Sequence, residues 1–229
     1  MRVSRIFAIC SLALVPFASA SAQEKDLPLP PLEERTIEQD TSLEALKLVQ
    51  TYMDTVQSLE AQFTQYAPDG SVAKGKLSLA RPGRVRFDYD GEVPFLVVAD
   101  GKTLNFIDYE IGQVTRWPVK DTPLRALLGG STDLASIGAN IELAPFDNPE
   151  LVALHAVDVD RPELGRITVY FQQQPYVAEK LRLLRWDVTD AQGQITSVEL
   201  ADAQVNVELA ENLWDFDDPR GLARRRRPR

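Results

Sequence analysis

From Glu60 to Val207 the chain is written almost entirely in a period of two, and this constrains its fold more than any other feature. Short runs alternate apolar with polar side chains, and tight-turn residues separate the runs. Because successive strand side chains point to opposite faces, such a pattern makes a sheet with one apolar face. The densest part lies between Gly75 and Leu128. There Leu77 and Leu79 share a face, Arg81-Pro82-Gly83 turns the chain, and Val85, Phe87 and Tyr89 alternate again. Phe95–Ala99 is a more continuous apolar run, Asp100-Gly101 is a hairpin signal, and Leu104–Tyr109 and Gln113–Val119 complete a meander. Upstream, Phe63, Gln65 and the turn Pro68-Asp69-Gly70 mark a strand feeding Val72–Ala80. Downstream, strands are expected at Ile141–Leu143, Leu151–Val159, Arg166–Gln172, Lys180–Asp187 and Ile195–Val207, with a hairpin loop at Ala191-Gln192-Gly193.

Two stretches depart from this period. Leu43, Leu46, Val49, Met53, Val56 and Leu59 recur at helical steps, and Thr41 with Glu44 resembles a capping box at their start. Between Asp121 and Ile137, Thr122 can cap and Pro123 suits a first helical position. Leu124, Leu127 and Leu128 form an apolar patch that Gly129-Gly130 ends, and Ser131–Ile137 can form a second short helix. One long helix, many sequential strands and a helical insertion in mid-sheet predict an α+β fold. Its antiparallel sheet carries helices on one side and has strands enough to curve towards a half-open barrel.

The ends of the chain have a different character. Arg2 and Arg5, the apolar run Ile6–Phe17 and the small residues Ala18–Ala22 have the order of a secretory signal peptide, with cleavage after Ala20 or Ala22. Placing the boundary at Ala22 gives a signal over 1–22. The apolar run is too short for a permanent anchor. The sole cysteine, Cys10, leaves with it, since Phe7-Ala8-Ile9 fits a lipid-modification site poorly. A chain exported without cysteine is expected in the periplasm of a bacterium and needs no disulfide there. Residues 23–39, with Leu27-Pro28-Leu29-Pro30-Pro31, read as a flexible leader longer than the fold needs. Residues 40–221 read as one domain and 222–229 as a disordered basic tail. Over 23–219 there are 17 basic against 34 acidic residues, a balance that repels phosphate backbones and speaks against nucleic-acid binding.

Enzyme chemistry finds little support. His155 is the only histidine and lies in an apolar strand, and no serine sits in a Gly-x-Ser-x-Gly turn. With one histidine and no cysteine after cleavage, neither a zinc site nor any other metal or cofactor is expected. Asp158 with Asp160, and Asp215, Asp217 and Asp218, lack calcium-loop spacing and read as solvated acidic turns. Asp100-Gly101-Lys102 lacks the second glycine of a phosphate loop. A carboxylate-dependent hydrolase stays open as an alternative, because such pairs are set by space rather than spacing. The positive signal is apolar. Phe63, Leu77, Leu79, Val85, Phe87, Tyr89, Phe95, Val97, Leu104, Phe106 and Trp117 can all point to one concave face. From the residues alone, two readings stand: a face packed by its own helices, or one left open for a guest.

At Arg81-Pro82, Ala99-Asp100-Gly101-Lys102-Thr103-Leu104 and Thr122-Pro123-Leu124 the chain resembles the periplasmic outer-membrane lipoprotein carrier (LolA-like) family. The likeness begins at the Leu43 helix and Ala61-Gln62-Phe63-Thr64-Gln65, and a last echo falls at Trp214-Asp215-Phe216. The resemblance implies a half-barrel of about eleven strands closed by a helical lid over an apolar cavity. It implies a non-enzymatic carrier that accepts acylated lipoproteins from an inner-membrane ABC-type transporter and delivers them to an outer-membrane receptor. Arg81 sits where the family keeps an arginine that bonds lid-helix carbonyls. The eleven apolar residues above, with Leu124, Leu127 and Leu128, would line the cavity. Arg84 and Arg86 carry no such role and are expected in solvent. A sensing module of the same fold, for lipids or lipoproteins, is the second reading, and a monomer is expected. The chain departs from the family in its tail, Ala223–Arg229, which is either inert or docks on anionic membrane.

Overall fold

A computed structural model describes residues 32–91, 93–129, 138–158, 161–176 and 179–220. The predicted second short helix at 131–137, the signal, the proline stretch and the arginine tail lie outside these. A long helix, α1 (Leu32–Thr55), leads into eleven strands. The first six are β1 (Ser58–Tyr66), β2 (Val72–Ala80), β3 (Arg84–Tyr89), β4 (Phe95–Asp100), β5 (Thr103–Asp108) and β6 (Gln113–Pro118). A short 3-10 turn at Val119–Asp121 and the single-turn helix α2 (Arg125–Leu128) intervene. The rest are β7 (Asn140–Leu143), β8 (Leu151–Val157), β9 (Arg166–Gln173), β10 (Leu181–Thr189) and β11 (Ile195–Val205).

All eleven strands form one open antiparallel sheet in the order β6-β5-β4-β3-β2-β1-β11-β10-β9-β8-β7. It is the α+β half-barrel expected from the strand count, with β6 and β7 as its two edges. The long closure between β1 and β11 joins two consecutive-strand meanders, each built by local hairpins. At Asp100-Gly101 the reason is visible: the Asp100 carboxylate accepts the amides of Lys102 (2.9 Å) and Thr103 (2.8 Å), and Gly101 takes a φ of 104°. Such a side-chain turn plus a positive φ is what aspartate and glycine supply together. Gly75 is needed for a different reason. It pairs with Phe63 across the strands, and a Cβ there would stand 2.0 Å from the Asp88 carbonyl oxygen.

The concave face carries the main core. Val49, Tyr52 and Met53 of α1, and Val56 just after it, are buried with Phe63, Leu77, Leu79, Val85 and Leu104 of the sheet, and with Ala126, Leu127 and Leu128 of α2. The aromatic rings meet edge-on: Phe63 with Phe87 (5.2 Å) and Tyr89 (5.3 Å), and Tyr52 with Phe171 (5.2 Å). A second cluster, Leu96, Val98 and Ile107, lies on the convex face, where Phe216 packs against it. The chain end near Trp214 returns to cover this patch, with Trp214 itself buried.

The helix differs from the sequence reading in three ways. It begins at Leu32, so the supposed leader is helical from 32 to 39 and Thr41 is interior, not a cap. The segment Leu-Glu-Glu-Arg-Thr-Ile-Glu-Gln is rich in good helix formers, which accounts for the extension. The helix ends at Thr55, so Leu59 belongs to β1. Leu43 is exposed, and Ala45 and Tyr52 take places on the buried stripe. A straight helix turns about 100° per residue, so the stripe over so many turns drifts off a strict list of three- and four-residue steps.

Candidate functional site

The site is built around the turn between β2 and β3. The Arg81 side chain is buried there, and the Arg81–Pro82 peptide is cis. Its guanidinium donates to the Val56 carbonyl just past the end of α1, and to the Leu127 carbonyl of α2 at 3.1 Å. It also meets the Met53 sulfur at 2.9 Å and lies 6.0 Å from the Tyr52 ring centre. Helix C-terminal carbonyls lack partners within their own helix, and a five-donor fork is suited to collecting two of them. The next carbonyl of α2, at Leu128, accepts the Gly83 amide at 2.7 Å. Gly83 has a φ of 77°, and a Cβ on it would come 2.6 Å from the Gly101 carbonyl oxygen, so only glycine lets these turns approach. Arg81 thus ties α1, α2 and the β2–β3 turn together.

The electrostatics are those of a dry interior. No carboxylate lies within ion-pair distance of Arg81 among the described residues, and burial pulls its pKa below the ordinary arginine value. Burial also pushes the Tyr52 phenol up to about 12, against the opposing pull of the Arg81 charge. The Tyr89 phenol, likewise pushed up to about 12 by burial, donates to Gln65 at 2.9 Å.

The expected cavity residues fall into distinct environments. Phe63, Leu77, Leu79, Val85, Phe87, Val97, Leu104, Leu127 and Leu128 are buried, and Tyr89, Phe106 and Leu124 are half-buried against the same core. Phe95 is half-buried at the start of β4. Trp117 is different: 45 % exposed on the edge strand, it meets Phe106 edge-on at 4.9 Å. It lines an open groove of about 730 Å³ at the mouth of the half-barrel, with Pro82, Val119, Leu128 and the basic residues Lys102 and Lys120. In this closed arrangement the concave face is filled by the helices.

Several polar assignments change. Thr122 does not cap α2; its hydroxyl donates back to the Val119 carbonyl at 2.8 Å, and Leu124 holds the cap position without a side-chain bond. Arg84 is exposed as expected, but Arg86 is not solvated. It pairs with Asp88 and donates to the Leu213 and Asp215 carbonyls, both at 3.0 Å, because β3 is covered on that side by the returning chain end. Asp158 is no solvated turn residue either: its side chain is only 10 % exposed and pairs with Arg125 (3.2 Å) and Arg161 (3.0 Å). Nothing in the local sequence marks this, since Arg125 is remote along the chain. His155 is an ordinary strand histidine on the convex face, between Thr168 (3.0 Å) and Glu142 (2.9 Å). Asp218 pairs with Arg220, whose guanidinium holds its carboxyl down at about 2. Among the described residues no helix is long and apolar enough to cross a membrane.

An open sheet whose concave face is roofed by helices, with one buried arginine joining roof to wall, defines a lidded half-barrel. The sequence signature of the outer membrane lipoprotein carrier protein LolA matches residues 54–217, and the chain belongs to that family. A curated outer-membrane lipoprotein carrier protein of Azotobacter vinelandii is 28 % identical over 227 residues, covering 95 % of this chain and 97 % of the relative. One of Legionella pneumophila is 27 % identical over 190 residues, covering 77 % and 87 %. Among solved structures, a LolA superfamily protein from Nitrosomonas europaea aligns with a TM-score of 0.41 at 8 % identity, over 76 % of this chain and 97 % of that one. The family is one of carriers, not enzymes.

Proposed function

We propose that this chain is a periplasmic carrier that shelters the acyl chains of lipoproteins leaving the inner membrane and passes them to the outer membrane. The observation that carries this reading is the buried Arg81 guanidinium, which holds α1 and α2 over an apolar wall through two carbonyls and the Met53 sulfur, with no carboxylate partner among the described residues. Hydrogen bonds to carbonyls can be exchanged for others without leaving a stranded carboxylate, which suits a latch that must open and reclose. The donor in this scheme is an ABC-type transporter of the inner membrane, and the acceptor is a receptor lipoprotein in the outer membrane.

The packed wall supplies a reason for reversible binding. Each acyl CH2 hidden from water is worth roughly 0.8 kcal/mol, so an exposed chain does not cross an aqueous gap unaided. If that chain entered a preformed empty cavity, the whole gain would hold it there. Here the guest replaces lid side chains already packed on Phe63, Leu77, Val85 and Leu104, so only the difference between guest and lid remains. Affinity is kept moderate and the cargo can leave.

The test is recovery of the full mature protein from the periplasm and mass spectrometry of what copurifies. Acylated lipoprotein is expected, and Arg81→Leu should raise the loaded fraction because the empty state loses its latch. Absence of lipoprotein from both proteins, with an active releasing transporter present, would sink the reading.

A further inference from the structure

The half-barrel has a second fastening, far from Arg81. Arg161, in the connection between β8 and β9, donates to the Asp121 carboxylate and to the Lys120 carbonyl (3.2 Å), both in the segment after β6. Its guanidinium also pairs with Asp158 at 3.0 Å, and the same Asp158 oxygen forms an ion pair with Arg125 of α2 at 3.2 Å. Two arginines and two aspartates thus form one charge-balanced chain, Asp121–Arg161–Asp158–Arg125. Its ends, Asp121 and Arg125, lie in the segment after β6 and its middle pair, Arg161 and Asp158, in the β8–β9 connection, and the sheet keeps these far apart, since β6 is one edge and β8 lies next to the other. The network crosses the gap that the strands leave open.

We infer that Asp158 and Arg161 form an electrostatic clasp that closes the mouth of the half-barrel and holds α2 down independently of Arg81. Asp158 is the keystone. Only 10 % exposed, it is held between two guanidiniums, and removing its charge leaves both without their shared partner. Arg161 and Asp121 are more open, at 37 % and 30 %, so salt reaches the outer half of the clasp. A network that spans loops with no strand between them acts on the lid and not on the sheet. The clasp follows from the geometry; its purpose, gating entry of acyl chains, rests on the carrier reading.

The test uses the full mature chain with Asp158→Asn, Arg161→Gln and both together, read by amide hydrogen exchange and by uptake of Nile red, an uncharged apolar dye. The clasp predicts about tenfold faster exchange at Leu127–Gly129, the change that loss of about 1.4 kcal/mol produces, with the β1 and β2 amides unchanged. Dye uptake rises with it, and the double variant adds little to Asp158→Asn because the two residues share one network. Molar sodium chloride should raise uptake by the natural protein and leave Asp158→Asn unmoved. Unchanged exchange at α2, or equal acceleration throughout the sheet, would overturn the clasp. These outcomes are separable from the carrier reading: an α2 that loosens while no lipoprotein copurifies keeps the clasp and removes the cargo, and a protected α2 removes the clasp whatever copurifies.

Discussion

The two wings of the sheet are roofed by different means. Over β7, β8 and β10 lies α1, a helix of 24 residues whose Val49, Tyr52 and Met53 are buried in the core. Over the other wing the roof includes α2, a helix of only four residues. A single turn cannot hold itself, because helix nucleation is unfavourable and its few internal bonds do not repay the fixed backbone. It stays in place through Ala126, Leu127 and Leu128, and through polar ties at Arg81, Gly83 and Arg125. One wing is therefore roofed by a long helix held mainly by apolar area, and the other by a single turn whose three buried side chains are supplemented by exchangeable polar ties. On the carrier reading, this difference places the opening at α2, with α1 and its wing as the frame.

Phe171→Ala, in the frame beneath Tyr52, should cost about 3–5 kcal/mol in urea unfolding and weaken the whole sheet together. Should that variant loosen α2 alone, the two wings would not differ as described. Alkaline pH acts on the same frame through Tyr52. Its folded pKa of about 12 lies above the ordinary 10.0, so the native state keeps its proton longer than the unfolded chain. Stability is then fully present below pH 10 and is lost as the pH rises towards 12, by up to roughly 1.4 kcal/mol per pH unit for one tyrosine. Urea midpoints at pH 9 and 11 measure it, and a flat profile would show that the ring is not held dry.

Leu127→Ala, in the opening wing, should cost less, about 2 kcal/mol at the low end for a buried leucine, and should raise dye uptake disproportionately. A loss as large as that of Phe171→Ala, with no change in uptake, would place α2 in the frame. The smallest effect is expected at His155, on the convex face. His155→Gln removes a half-exposed pair with Glu142 and should shift stability by less than about 1 kcal/mol, leaving lipoprotein recovery unchanged.

The sheet was legible in the residues because a strand's face depends on parity alone. Each strand run that alternation marks, from Val72–Ala80 to Ile195–Val207, corresponds to an observed strand, with ends shifted by a few residues. Leu77, Val85, Phe87 and Leu104 are likewise buried on one face, as their spacing requires. Arg81 stands out by family resemblance rather than by local chemistry, since an Arg-Pro-Gly turn on its own describes an exposed loop.

What lies over the apolar face, and what crosses its mouth, depends on segments far apart in sequence coming together. Alternation says that a face is greasy but not whether helices or a guest cover it. The burial of Val49, Tyr52 and Leu127 in one core answers that for the closed state. The fate of each charge was equally unreadable. Arg86 meets carbonyls more than 120 positions away, and Asp158 meets Arg125 from another connection of the fold. Periodicity is a local property carried by neighbouring residues, whereas an ion pair or a latch exists only once distant segments have been brought together.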